Sequence, residues 1–346
     1  MTPAQLAEKL LWRVGERLAG TATALERQLA PPPPAVPVDA VVTWAGPDNE
    51  ARRAERRRWA QREGAAESEG SWRFADHGEL RYALRGLVRN APFLRRIHVV
   101  VADTGPSWLR TDDPALAVVP HRAIFPDPEH LPTWSSCAIE AHLHRIPDLA
   151  ERFLYLNDDM LILAPMTLGD AVDARGRVKL EPQWRAGRFP RGAPRAEDQP
   201  HIARARLTNA LLDRRYGARL RLWPIHQARM GRRTAYEAMH ADPIFAPELA
   251  RVSAARFRRG DVIDPIYLQY FVALHTGLAR LSSRSSSVVR VQRNIAAMTR
   301  DLARVQARRP AQLCVQDWLD GDAPEVTAAL QGMLEILLPG ASRFER

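Results

Sequence analysis

Leu6, Leu10, Leu11, Val14, Leu18, Leu25 and Leu29 recur at the three-and-four spacing of a single helix face, with Lys9, Arg13, Arg17 and Arg27 between them. Residues 4–29 are therefore expected to form an amphipathic helix. Burial of its stripe on the body of the protein is the plainer account, and an interfacial contact with a membrane is the other. The Pro31–Pro34 run that follows reads as a stiff extended spacer, so the main body begins near Pro37. From there, apolar runs predict strands at Val38–Thr43, Ile97–Ala102, Leu116–Val119 and Arg152–Leu156. Helical periodicity at Asp76–Asn90 and Ser135–Ile146 alternates with them, which is an α/β pattern. Ligands of open α/β sheets lie beyond the carboxyl ends of the strands, here Thr43-Trp44, Asp103, His121 and Asn157-Asp158-Asp159.

The arginine-rich stretch 51–69 reads as a solvated helix or mobile insertion, with acceptor binding as the sharper option, and 184–200, rich in Arg, Pro and Gly, as a long loop of the kind that covers or binds ligands. Beyond it the pattern is mainly helical, at about 205–217, 231–240, 264–279 and 323–338. The expected organisation is a helix and linker (1–37), an α/β core (38–183) and a helix-rich part completing the site (184–346).

Composition narrows the function classes. Of the 50 basic residues only Lys9 and Lys179 are lysine, so the net charge of +10 reflects arginine-biased usage. With no recognition motif or aromatic platform beside it, that charge does not argue for nucleic acid. It does suit anionic ligands such as nucleotide sugars, acidic polymers and anionic lipid. Cys137 and Cys314 are far apart and fit reduced thiols, no apolar run is long enough to cross a bilayer, and the first residues lack a signal peptide's apolar core. A cytoplasmic location is expected, with the option of a peripheral site on the inner face of the membrane.

The strongest local chemistry is Asn157-Asp158-Asp159 at a strand end. Hard cations such as Mg²⁺ take oxygen ligands and leave the rest of their shell to water and phosphate, so these side chains supply a partial shell; an Asx turn is the plainer alternative. Asp76 and Glu79 read as the N-cap and N3 carboxylates of a capping box. Arg81 and Arg85, one turn apart on the same helix, are positioned either to grip a diphosphate or to serve the surface. Ser136, Glu140 and His144 share a helix face at i, i+4 spacing, a hydrogen-bonding face by default and an acid/base or metal group by the sharper reading.

The residues Asp39–Trp44, Arg73–Arg85, Ala91-Pro-Phe93, Pro106–Leu109, Leu131–Ser135, Ala138–Ile146 and Phe153–Asp159 resemble the first two blocks of the Stealth family. Weaker matches follow in order at Trp223–His226, Arg256–Arg258, Asp264–Leu274, Leu313–Asp317 and Leu337–Phe344. These are the hexose-1-phosphate transferases of capsule synthesis, related to the lysosomal GlcNAc-1-phosphotransferase. The resemblance implies a Rossmann-like or GT-A-like nucleotide-sugar-binding sheet with helices on both faces and a helix-rich C-terminal part. It implies transfer of a sugar-1-phosphate from a UDP-sugar donor to a hydroxyl of a glycan or polysaccharide acceptor, with Mg²⁺ or Mn²⁺. By motif position, Glu140 and Asp159 become catalytic carboxylates, His226 the base at the acceptor hydroxyl and Arg258 a charge stabiliser, with Arg256 and Arg259 as neighbouring alternatives. Asp158 and Asp159 are the expected metal ligands, and Thr43, Trp44, Asp76, Arg81, Arg85, Asp103, Asn157 and Asp317 the expected substrate contacts. Two alternatives stay open: a metal-dependent glycosyltransferase releasing UDP, and a non-catalytic polymer-binding module, the latter suggested by the departures at Ala45 and Gln316.

Overall fold

The structure is a computed structural model that describes residues 3–46, 49–65, 75–317 and 323–346. Its centre is a five-stranded sheet built from β1 (Val38–Thr43), β2 (Ile97–Val101), β3 (Leu116–Pro120), β4 (Arg152–Asn157) and β7 (Arg229–Arg232), in the order β3-β2-β1-β4-β7. The first four strands are mutually parallel and β7 runs antiparallel along β4. β1 and β2 are buried almost without a break, as expected of parallel strands covered on both faces. The chain leaves β1 for β2 on one side and later returns to β4 on the other. The crevice beyond Thr43 and Asn157 is thus a topological switch point, where such sheets bind ligands.

At the end of β4 the two residues Asp158 and Asp159 form a turn into β5 (Met160–Ile162), which belongs to a second sheet in the order β5-β10-β9. Its other strands are β9 (Ser286–Val291) and β10 (Gln312–Asp317), and β10 lies antiparallel to β5 with Cys314 opposite Met160. A short parallel pair, β6 (Val178–Leu180) and β8 (Ala279–Leu281), completes the strands. The second sheet is pressed against α3 (Glu79–Asn90) at Gly86, where a Cβ would stand 2.8 Å from the Ile162 carbonyl oxygen. The approach is that close, so only glycine fits. The fold is of the mixed α/β, Rossmann/GT-A-like kind, with 11 α-helices among the described residues.

Three local expectations need correction. Helix α3 starts at Glu79, because Gly78 at φ +83° turns the chain just before it, so Asp76 is not its N-cap. The helix expected at Ser135–Ile146 stops after α4 (Ser136–Glu140) and continues as a 3₁₀ turn at Leu143–Arg145. His144 therefore does not share a helical face with Ser136 and Glu140; its ring stacks on Tyr236 and lies tilted against His240. Finally, the apolar stripe of α1 (Pro3–Leu29) does not pack on the body: Leu11, Leu18 and Leu29 are 62%, 66% and 77% exposed. An adjoining side, with smaller and polar residues, is the one that packs. Gly15 meets the Trp184 ring, Thr23 is buried, and Glu26 pairs with Lys179 and Arg280.

Candidate active site

The crevice is organised by backbone first. The Asp158 N–H donates to the Thr43 carbonyl at 3.2 Å and the Val315 N–H to the Asp159 carbonyl at 2.8 Å, so the acidic turn is fixed to β1 on one side and β10 on the other. Thr43 Oγ1 donates to Asn157 Oδ1 at 3.1 Å across the switch point. The Trp44 indole N–H donates to Asp76 at 3.1 Å, and the other oxygen of Asp76 accepts from the Gly78 N–H at 2.8 Å. Asp76 thereby faces the acidic turn from the loop that leads into α3.

The electrostatics follow from this crowding. Asp158 is pushed well above the usual carboxylate range by the protein packed around it and then by the charges of Asp159, Glu79 and Asp76. Burial pushes Asp159 up to about 6, against the pull of Cys314 and Arg258. Glu79, closed off from water, is pushed to about 8, with Asp76 and Asp159 adding to the rise. Carboxylates that hinder one another's ionisation in this way gain most from a shared cation. Asp159 Oδ1 is a buried acceptor with no partner among the described residues, while Oδ2 accepts a weak hydrogen bond from the Cys314 thiol at 3.6 Å. The oxygen-rich, partly orphaned donor set fits a hard divalent cation.

On the other flank lies Glu140, at the end of α4, buried and accepting from the Tyr155 hydroxyl at 2.9 Å. Burial and then the charge of Asp264 push it up to about 7, while Tyr155, Arg258 and Arg229 hold it down. His226 is exposed at its edge. Even so, the protein around it and the cations Arg229 and Arg258 hold its imidazole well below the ordinary range, so it is neutral at physiological pH. Its ring lies close enough to Asp159 and Cys314 that one donor atom from each of the three residues falls within 4.8 Å of the others.

The three neighbouring arginines separate clearly. Arg256 is occupied by Glu63, by backbone carbonyls and by the face of Trp59, and Arg259 by Asp261. Arg258 is half-buried and makes no hydrogen bond or ion pair among the described residues, and its charge is felt by Glu140, Asp159 and His226.

Other expected contacts have different surroundings. Arg85 is buried and clamped by Glu345 and Glu335, and Arg81 lies over the Trp108 ring beside the same Glu345. Those guanidiniums tie α3 to the C-terminus and are already neutralised. Asp103, beyond β2, is exposed, pairs with Arg122 and lines a hollow of about 430 Å³ with Pro106, Ser107 and Arg346. Asp317 receives the His77 ring at 2.8 Å, joining β10 to the loop before α3.

One residue of the site was not foreseen. Arg229 on β7 faces Tyr155 in register, is 4% exposed, and bonds through Nε to the Gln227 carbonyl while its Nη1 has no partner among the described residues. Its charge acts on Glu140, His226 and Cys314. In a chain this rich in arginine no pattern marks it out; only its place three residues after His226 could have drawn attention.

Residues 73–180 match conserved region 2 of Stealth proteins, a span that carries Asp76, Glu140 and the Asn157–Asp159 turn. Two exopolysaccharide phosphotransferases of Streptomyces coelicolor are similar along 90% of this chain. One is 33% identical over 318 residues, the other 35% over 322, and the matched spans make up 33% and 57% of those relatives. The alpha/beta subunits of human N-acetylglucosamine-1-phosphotransferase are 49% identical over 89 residues, which is 26% of this chain and 7% of that protein. The chain thus spans about a third to just over half of the length of the Streptomyces relatives it matches. It carries conserved region 2 of the Stealth proteins at its switch-point site and is similar along nine-tenths of its length to exopolysaccharide phosphotransferases.

Proposed function

We propose that the chain transfers a sugar-1-phosphate from a UDP-sugar to a hydroxyl of a glycan or polysaccharide acceptor. The observation that carries this reading is the convergence, at the β1/β4 switch point, of an acidic turn with a neutral histidine and an unpaired arginine. Phosphoryl transfer asks for little more than positioning and charge neutralisation, and this set supplies both. Asp158 and Asp159 would hold Mg²⁺ or Mn²⁺, which when bound neutralises phosphoryl oxygens. The acceptor oxygen bonds to the β-phosphorus of the donor, and the bond from that phosphorus to the oxygen bridging to the α-phosphate breaks. The hydroxyl proton passes to His226, UMP departs with the bridging oxygen, and the anomeric C–O bond stays intact. Arg258 faces the charge that gathers on the phosphoryl group, and Thr43, Trp44 and Asn157 line the donor side.

The α1 stripe supports a further part of the reading, a peripheral contact with an anionic lipid surface. Leu11, Val14, Leu18, Leu25 and Leu29 are exposed along one line of the helix. Arg13 and Arg17 flank that line on the side away from the protein, a flank that carries no carboxylate between Leu10 and Leu29. Leucines entering the headgroup boundary with arginines at its level is the arrangement of interfacial helices. Among the described residues, no helix is long and apolar enough to cross a membrane.

The deciding experiment follows the spent nucleotide and the product phosphorus with a panel of UDP-hexoses and a polysaccharide acceptor. UMP release with a phosphodiester in the product is the expected result. UDP release with a phosphorus-free product would replace it with glycosyl transfer, and absence of turnover with retained donor binding would favour a binding module.

A further inference from the structure

Mg²⁺ has little use for sulfur, yet a thiol stands within the acidic site. We propose that Asp159, His226 and Cys314 form a second cation site, selective for thiophilic divalent ions such as Zn²⁺, and that its occupation shuts the transferase down. The inhibitory half rests on the proposed role of His226; the binding half does not.

The geometry is that of a three-ligand site. One donor atom from each residue lies within 4.8 Å of the other two. Cys314 Sγ and Asp159 Oδ2 are 3.6 Å apart. Tetrahedral Zn²⁺ with sulfur at about 2.3 Å and oxygen at about 2.0 Å places those two ligands about 3.5 Å from each other, so the pair needs almost no rearrangement. Both are fixed by the sheet: Cys314 lies opposite Met160 in the β5–β10 ladder, and the Val315 N–H binds the Asp159 carbonyl. His226 is exposed and already has a ring nitrogen within that 4.8 Å of the other two donors.

Ligand softness decides which ion enters. A thiolate and an imidazole favour Zn²⁺ over Mg²⁺, whereas the two carboxylates of the turn alone favour the hard ion. Three protein ligands leave a fourth position for water. The nearby charges act in both directions, with Asp158 and Glu79 favouring a cation and Arg258 and Arg229 opposing it. Once the His226 lone pair is given to the metal it cannot accept the acceptor's proton, and Asp159 is withdrawn from the hard cation.

Binding is read on the full chain without turnover, using Co²⁺ as the optical probe and Zn²⁺ in competition with a chromophoric chelator. One equivalent of Co²⁺ should give a thiolate-to-cobalt charge-transfer band and the strong visible absorption of a tetrahedral ion. Cys314→Ser should abolish the band and weaken Zn²⁺ by at least about tenfold, the range seen when a zinc site loses a supporting interaction. Cys137→Ser should leave both unchanged. Because Cys314 is buried, His226→Gln at the exposed edge provides a second variant with little risk to the fold; it too should weaken Zn²⁺. Co²⁺ bound without a thiolate band, or Zn²⁺ affinity indifferent to both variants, would overturn the site. Where Mg²⁺-supported turnover is measured, stoichiometric Zn²⁺ should inhibit the wild type and spare Cys314→Ser; bound Zn²⁺ with full turnover would overturn the inhibitory half alone.

Discussion

The Tyr155 hydroxyl donates to Glu140 Oε1 at 2.9 Å and lies 2.7 Å from Asn157 Oδ1, so one phenol joins the buried carboxylate of α4 to the strand end that carries the acidic turn. Glu140 is pushed up to about 7 chiefly by burial, and this bond is among the influences holding it down. Tyr155→Phe removes that support, so the carboxyl should rise further. If the ionised form is required, the acidic limb of the kcat/KM profile moves to higher pH by about half a unit to one unit. At pH 7 the variant is slower and recovers as pH rises. A profile superimposable on the wild type would remove Glu140 from the chemistry.

Stability should have its own pH signature at the far end of β1. Asp39 is wholly buried, bridged by Arg95 at 2.8 and 2.9 Å, by His98 at 3.2 Å and by the Ala150 N–H at 2.7 Å. Burial raises its pKa, but these partners outweigh it and bring the group down to about 2. A carboxylate depressed in the folded state contributes stability that is complete above its unfolded pKa and lost as pH falls through the folded one. Here that window runs from about pH 4 to about pH 2, and the contribution is about 2 kcal/mol. Urea unfolding at a series of pH values should show this loss. Asp39→Asn should flatten it and cost about 2–4 kcal/mol at pH 7, because His98 and the Ala150 N–H lose a charged partner.

The acidic turn should trade stability for function. Asp158 is disfavoured as an anion by its surroundings and by Asp159, Glu79 and Asp76. Asp158→Asn keeps the shape and removes one of the repelling charges, so the metal-free protein should melt about 1–2 °C higher, the shift expected for about 1 kcal/mol in a chain of this size. On the proposed function, Mg²⁺ should raise the melting temperature of the wild type, and this variant should lose both that response and transfer activity. Differential scanning with and without Mg²⁺ makes the comparison. A variant that is less stable than wild type and still responds to Mg²⁺ would show that the turn is a structural Asx device.

How much of this was legible in the sequence depends on where the information lies. β1, β2 and β4 are continuous apolar runs, and their ends, hence the switch point, follow from local pattern. β7 reads Arg-Met-Gly-Arg, with no alternation or apolar run to betray it, and exists because it pairs with β4. Arg81 and Arg85 were correctly placed one turn apart, but their partner Glu345 is 260 residues from Arg85, and periodicity cannot show an ion pair at that range. The α1 stripe shows the complementary limit. Its period was plain, yet periodicity says which residues share a face and not what that face meets.

Arg229 offers a test of an unforeseen residue. Its guanidinium is buried with one amino group unbonded among the described residues, and it favours the ionised form of Glu140 while disfavouring protonated His226. Arg229→Lys preserves the charge and loses the planar fork, so kcat should fall by about ten- to a hundredfold with a modest change in the pH profile. Arg229→Met removes the charge as well: the acidic limb set by Glu140 moves up, and any limb set by His226 moves with it, because the imidazole loses a repelling neighbour. Profiles in which only the amplitude changes would assign Arg229 a packing role.

The two sides of α1 should come apart under mutation. Leu11 and Leu18 are largely exposed, so changing both to Gln removes mainly solvent-facing apolar surface, and stability should stay within about 0.5 kcal/mol of wild type. The same change should weaken sedimentation with anionic vesicles. Fully burying one leucine is worth about 1.5–3 kcal/mol, so losing two from the interface lowers partitioning by about a hundredfold or more. Neutral vesicles should bind the wild type more weakly, because Arg13 and Arg17 then have no anionic headgroups to meet. Glu26→Ala acts on the other side, removing the partner that Lys179 and Arg280 share. Lys179 is buried, so the cost should appear as a lower melting temperature. If Leu11→Gln with Leu18→Gln lowers the melting temperature and leaves vesicle binding unchanged, the stripe meets protein and not lipid; a concentration-dependent change in mass would then identify a second copy of the chain.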